Sequence, residues 1–193
     1  MLIGICGGIG SGKSVVSRLL RNLGYNVIDC DLEARLLMNG SEDIKRAICN
    51  RISSEVTDGI SIPDRKKLAD IVFNNEDARL MLNEIVHSAL RERIREIGRV
   101  LGAKPLFVEA AILAESGLAE ECRYIIKVEA DREERLARVR ERDAASDAHI
   151  LARMRSQEKE ERLLAQYSDR ILTICNGDKD VLIMQVKNLL KSI

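Results

Sequence analysis

Eight consecutive residues, Gly7 to Ser14 (GGIGSGKS), combine the types needed to hold a polyphosphate. They fit the pattern G-x-x-x-x-G-K-[ST], with Gly7, Gly12, Lys13 and Ser14 in the fixed places and Gly8 and Gly10 between them. A triphosphate is held mostly by main-chain N–H groups that converge on it. Glycine permits the positive φ and close backbone approach this requires. The expected nucleotide ligands run from Gly8 through Ile9, Gly10, Ser11, Gly12, Lys13 and Ser14 to Val15. Lys13 would reach the β- and γ-phosphates, and the Ser14 hydroxyl would bind magnesium.

Such a loop works only between a strand and a helix, whose N-terminal amides and dipole complete the anion site. Leu2 to Cys6 (LIGIC) suits a buried strand, and Lys13 to Leu23 carries apolar residues at 15, 16, 19, 20 and 23, a helical stripe that stops at Gly24. Asn26 to Asp31 (NVIDCD) reads as a second strand. If it stays extended to its end, Asp29 and Asp31 share one face at the carboxyl edge of the sheet. Leu32 to Met38 is expected to be helical, with Asn39-Gly40 as its stop and a new helix from Ser41-Glu42-Asp43.

From Thr57 to Leu101 the strand signal disappears. Three helices are predicted there, over Asp64 to Phe73, Glu76 to Val86 and Arg91 to Leu101, with breaks at Pro63 and Asn74-Asn75. Strands resume at Pro105 to Ala111 and Tyr124 to Glu129. Arg132 to Tyr167 reads as two charged helices broken near Ala144 to Asp147, before a last strand at Arg170 to Cys175 and a closing helix at Asp180 to Leu190. This alternation predicts an α/β fold with a mostly parallel five-stranded sheet covered on both faces.

The 193 residues suit one domain. Lys plus Arg (31) equals Asp plus Glu (31), so no net field favours nucleic acid or an acidic membrane. Five scattered cysteines without a C-x-x-C pair point to reduced thiols, and no apolar run approaches the ~20 residues that span a bilayer. The expectation is a soluble intracellular protein, monomeric or a small homo-oligomer.

A regulatory GTPase would carry D-x-x-G after a strand and N-K-x-D for guanine; neither occurs. Motor ATPases usually need longer chains, which leaves a small-molecule kinase as the leading class. A nucleotide-dependent binding module is the alternative from outside enzymes.

Several ordered motifs then resemble the dephospho-coenzyme A kinase family over almost the whole chain. They are GICGGIGSGKSVVSRLLRNLGYNVIDCDLEAR, PDRKKLADIVFNNEDARLMLNEIVHSALRERI, AILAESGL, RVRERDAASDAHILARMRSQ and ICNGD. Two positions depart from the pattern: Ser88 after His87, and Ala111 before Ile112-Leu113, where the family usually has proline. The resemblance implies a three-layer P-loop NTPase fold with a core at about 1–56, 102–131 and 168–193, a helical acceptor-binding insertion at about 57–101 and a lid at about 132–167. It implies transfer of the γ-phosphoryl group of ATP to the ribose 3′-hydroxyl of dephospho-CoA, the last step of coenzyme A biosynthesis, in the cytoplasm and with Mg2+. A nucleoside monophosphate kinase is the nearest competing activity.

The resemblance also implies roles. Asp31, the second acid of D-x-D, would orient the acceptor hydroxyl and take its proton, or simply cap the helix beginning at Leu32. Arg138 and Arg142, at i,i+4 on one helix face, would clamp phosphate charge beside Lys13. His87 and Arg65 would meet the acceptor, with Asp64 a plausible N-cap. Asn176 would contact adenine. Glu109, an acid on the third strand, is expected to hold magnesium through water or to pair with a basic side chain. By their i,i+4 spacing, Asp131/Arg135, Glu134/Arg138 and Glu158/Arg162 also suit surface ion pairs, the expectation for most of the lid arginines.

Overall fold

Five short apolar runs supply the strands: β1 (Leu2–Cys6), β2 (Asn26–Asp29), β3 (Leu106–Glu109), β4 (Tyr124–Glu129) and β5 (Ile171–Cys175). The structure, a computed structural model, describes residues 1–53, 65–143 and 147–193. Every pairing is parallel, in the order β2-β3-β1-β4-β5. The chain leaves β1 toward one side of the sheet and later returns to its other side. The carboxyl end of β1 is therefore the topological switch point, where open α/β sheets place their ligands.

The chain divides into two compact units, Met1–Asp29 with Leu101–Ile193, and Cys30–Val100. In the first, one sheet face presents Ile3, Ile5, Phe107, Ile126 and Val128 to Val16 and Leu20 of α1 (Lys13–Asn22) and to Leu182 and Val186 of α10 (Lys179–Ser192). Tyr25 closes this layer edge-on to Phe107, with ring centroids 5.4 Å apart. The alternate strand positions Leu106, Val108 and Ile125 are equally buried, so both faces are covered. Gly24 ends α1 as expected: at φ 88° it gives its N–H to Arg21, while Tyr25 N–H returns to Leu20, the paired bonds of a Schellman stop. Asp178 caps α10 through the amides of Asp180 and Val181, and Gln185 of α10 bonds both backbone groups of Cys175 on β5.

The second unit contains α2 (Cys30–Gly40), α3 (Glu42–Arg51), α4 (Arg65–Asn74) and nearly all of α5 (Glu76–Leu101). Ile44, Ile48, Leu68 and Ile85 form its apolar centre. Ser41 caps α3 by accepting from Ile44 N–H, and Arg93 of α5 pairs with Glu33 of α2 at 3.1 Å. Whereas sequence spacing set a helical insertion at 57–101, the compact helical unit also takes in α2 and α3. Thr57, Pro63 and Asp64 lie outside the described residues, as does all of the helix break expected near Ala144 to Asp147 except Asp147 itself.

Four expectations are corrected. β2 ends at Asp29 and α2 begins at Cys30, so Asp29 and Asp31 do not share a strand face. The run Leu32 to Met38 consists mainly of strong helix formers and draws the helix start back past Asp31. Nor does Asp31 cap a helix beginning at Leu32; it sits in the first turn of α2, where a carboxylate still meets the positive end of the dipole. Next, α5 is one 26-residue helix rather than two. His87-Ser88-Ala89-Leu90 contains no Gly or Pro, and Ala78, Ile85, Val86, Leu90 and Ile94 keep a single buried stripe through it. Finally, beyond the short helix α6 (Leu118–Glu121), the charged segment contains three helices, α7 (Arg132–Asp143), α8 (Asp147–Ser156) and α9 (Glu158–Leu164), followed by a 3₁₀ turn over Ala165–Arg170.

Candidate active site

Strand β1 delivers the backbone to Gly7 with its hydrogen bonds already satisfied by β3 and β4, and α1 takes over at Lys13. Between them the chain curls over itself. Gly10 (φ 77°) and Gly12 (φ 92°) adopt the left-handed conformation that L side chains disfavour. A Cβ at Gly12 would strike the Asn176 amide, and one at Gly10 would lie 2.6 Å from the Arg135 carbonyl oxygen. Spacing and sterics thus demand glycine at both positions. The Lys13 ammonium folds back over the loop and donates to the Gly7 carbonyl at 2.7 Å. Ser14 and Val15 are exposed in the first turn of α1, while Ser11 is buried and its Oγ has no hydrogen-bond partner among the described residues.

The underside of the loop is held by the end of β5. Asn176 Nδ2 donates to the Ser11 carbonyl at 2.8 Å, and Asn176 N–H donates to Glu129 at the end of β4. Asn176, expected at the adenine, is therefore a buried tie beneath the loop backbone.

The α7–α9 segment holds the loop's outer side. Arg138 donates to the carbonyls of Gly10 (3.4 Å) and Asn176 (3.0 Å) and pairs with Glu134 at 2.8 Å. Arg142 forms a two-pronged pair with Asp143, which holds its guanidinium pKa above the usual range. Arg138 thus reaches the loop, whereas Arg142 is engaged by its sequence neighbour.

Two further side chains at the loop escaped sequence reasoning. Arg135 Nε donates to the Ile9 carbonyl at 2.9 Å, and Gln157 Oε1 accepts from Ile9 N–H at 2.7 Å. The i,i+4 spacing pairs Arg135 with Asp131. Instead Asp131 caps α7, accepting from the amides of Glu133 and Glu134, and Arg135 turns to the loop. The run Asp131-x-x-Glu134 before a helix was the available signal. Gln157, an amide in a run of charges, gave none. Of the other expected ion pairs, Glu134/Arg138 forms, while Arg162 Nε bonds the Glu158 carbonyl.

A cavity of about 620 Å³ adjoins Gly7 and Gly8 and is lined by Lys127, Arg132, Arg135 and Glu160 among others. Glu160 is 5% exposed, and its two oxygens accept from the amides of Ala114 (2.7 Å) and Glu115 (2.9 Å). Burial pushes its carboxyl pKa up, and the two amide bonds partly offset this. Cys6 and Cys122, also buried, have thiols pushed up to about 12, chiefly by desolvation, and are poor nucleophiles.

At the sheet's carboxyl edge, Asp29 and Glu109 are register partners on β2 and β3, and Glu109 also aligns with Ile5 of β1. Among the described residues no three or more His, Cys, Asp or Glu side chains are grouped so as to hold a metal ion by themselves. The Ser14 hydroxyl and the carboxylates of Asp29 and Glu109 at the sheet's carboxyl edge are hard oxygen donors of the kind Mg2+ takes, phosphates and water supplying the remainder.

In the helical unit Asp31 is exposed in the first turn of α2, and His87 is half-buried on α5. Arg65 opens α4, and its side chain lies outside the described set. No described helix is long and apolar enough to cross a membrane.

A parallel five-stranded sheet with a glycine-rich phosphate loop between its central strand and first helix defines a P-loop nucleotide-binding protein. Comparison with known proteins narrows the class. The dephospho-CoA kinase family profile matches residues 1–177. The dephospho-CoA kinase of Porphyromonas gingivalis is 34% identical over 191 residues, covering 99% of this chain and 93% of the relative. That of Geobacter metallireducens is 39% identical over 161 residues, covering 81% and 80%. A solved dephospho-CoA kinase from Campylobacter jejuni superposes with TM-score 0.67 at 26% identity, covering 99% of this chain and 96% of that one. The chain belongs to the dephospho-CoA kinase family, a family of ATP-dependent phosphotransferases acting on a hydroxyl.

Proposed function

We propose that this chain transfers the γ-phosphoryl group of ATP to the ribose 3′-hydroxyl of dephospho-CoA, releasing CoA and ADP. The observation that carries the reading is family membership along nearly the whole chain, joined to a phosphate loop formed by the residues the motif requires. Phosphoryl transfer runs through a loose transition state, so positioning and charge neutralisation dominate over proton abstraction.

Each residue then takes a part. The loop from Gly8 to Val15 wraps the donor phosphates, and Lys13 exchanges its carbonyl partners for β- and γ-phosphate oxygens. Arg138 contributes positive charge beside the loop. Arg142 joins it by leaving Asp143, an exchange of one anion for a more highly charged one. Asp31 orients the acceptor hydroxyl and accepts its proton. An ordinary aspartate is a weak base at neutral pH, so orientation is its larger contribution. Arg65 and His87 hold the acceptor. Asn176 serves the donor site by supporting the loop from beneath. Bound Mg2+, held by the Ser14 hydroxyl and through water by Glu109 and Asp29, would neutralise charge on the β- and γ-phosphates. The enzyme is assigned to the cytoplasm.

Coupled ADP release tests the acceptor. Turnover with dephospho-CoA should exceed that with AMP, CMP or UMP by at least about a hundredfold in kcat/KM. A nucleoside monophosphate as the preferred acceptor would reassign the chain among P-loop kinases.

A further inference from the structure

Ile9 is gripped on every side by the α7–α9 segment. Its N–H is taken by Gln157, its carbonyl by Arg135, and its side chain is buried against Val139 and Ile150 with Leu136 and Met154 alongside. The flanking residues are Gly8 and Gly10, so local sterics leave this part of the loop loosely defined. The two hydrogen bonds fix the peptide groups on either side of Ile9, supplying the constraint that the glycines lack.

Gln157 is not placed there to serve its own helix. It occupies the N-cap position of α9, where Ser, Thr, Asp and Asn are favoured, and its side chain makes no capping bond. It reaches instead to the loop, 148 residues away in sequence. Arg135 likewise turns its guanidinium from Asp131 to the loop and lies against Gly8.

We propose that Gln157 and Arg135 are positioning residues for the donor phosphates, acting through Ile9 to hold the loop in its phosphate-receiving shape before ATP arrives. This rests on the ATP site proposed above. Preorganisation shifts the cost of ordering the loop from binding to folding, so its loss should appear in ATP affinity. Because both side chains come from the lid segment, loop shape and the placement of those helices become one coupled variable.

The test uses Gln157→Met, which keeps length and volume without the carboxamide acceptor, and Arg135→Lys, which keeps the charge but not the planar guanidinium. Calorimetric titration with Mg-ATP alone reads donor affinity without any acceptor. Each variant should bind ATP about tenfold more weakly, the worth of one well-placed hydrogen bond. KM for dephospho-CoA should stay within about twofold of wild type. ATP affinity unchanged in both variants overturns the proposal, as does an equal rise in KM for both substrates, the mark of general loosening. If Gln157→Met does not fold, Arg135→Lys decides alone. A wild-type chain that binds ATP but ignores dephospho-CoA contradicts the proposed function and leaves this titration interpretable.

Discussion

Asn176 Nδ2 donates to the carbonyl of Ser11 at 2.8 Å, joining the end of β5 to the phosphate loop across 165 residues of sequence. The bond is buried, so its loss strands a carbonyl away from water. Asn176→Ala should destabilise the fold by about 1–3 kcal/mol and weaken ATP binding, as read by urea unfolding and calorimetry. Wild-type stability in this variant would show that the loop is supported elsewhere.

Glu160 predicts a pH dependence. Burial raises its folded pKa above the ordinary 4.5, so from there up to the raised value the native state holds the proton more firmly than the unfolded chain. Its contribution to stability is therefore fully present at acid pH and is lost as pH rises through the folded value. Glu160→Gln removes the titration, so the stability of wild type relative to this variant should shrink on going from about pH 4 to pH 8 in urea melts. A constant or growing advantage would mean that the two amide bonds outweigh desolvation.

Asp31→Asn keeps the size and place of a side chain in the first turn of α2 and removes only its charge and basicity. ATP affinity should be nearly unchanged and kcat should fall by about a hundredfold or more. Retained turnover would remove Asp31 from the chemistry.

The sheet and the loop were legible because their signals are local. LIGIC and YIIKVE are short apolar runs whose bounds the structure reproduces, and the glycine pattern carries its own steric logic. Helix ends were less legible. Asp31 sits where strand and helix propensities compete, and nothing within a few residues decides between them. The arginines show a third case. Glu134/Arg138 followed from i,i+4 spacing, but Arg135 and Gln157 meet Ile9 only because the fold returns the lid segment to the loop. Contacts of that span have no local signature.

The most direct measurement is 31P nuclear magnetic resonance of the complete reaction with ATP, magnesium and dephospho-CoA. A new phosphomonoester signal on the ribose 3′ position, growing in step with ADP, is the expected result. Inorganic phosphate in its place, or a phosphate on another hydroxyl, would contradict transfer to the 3′-hydroxyl.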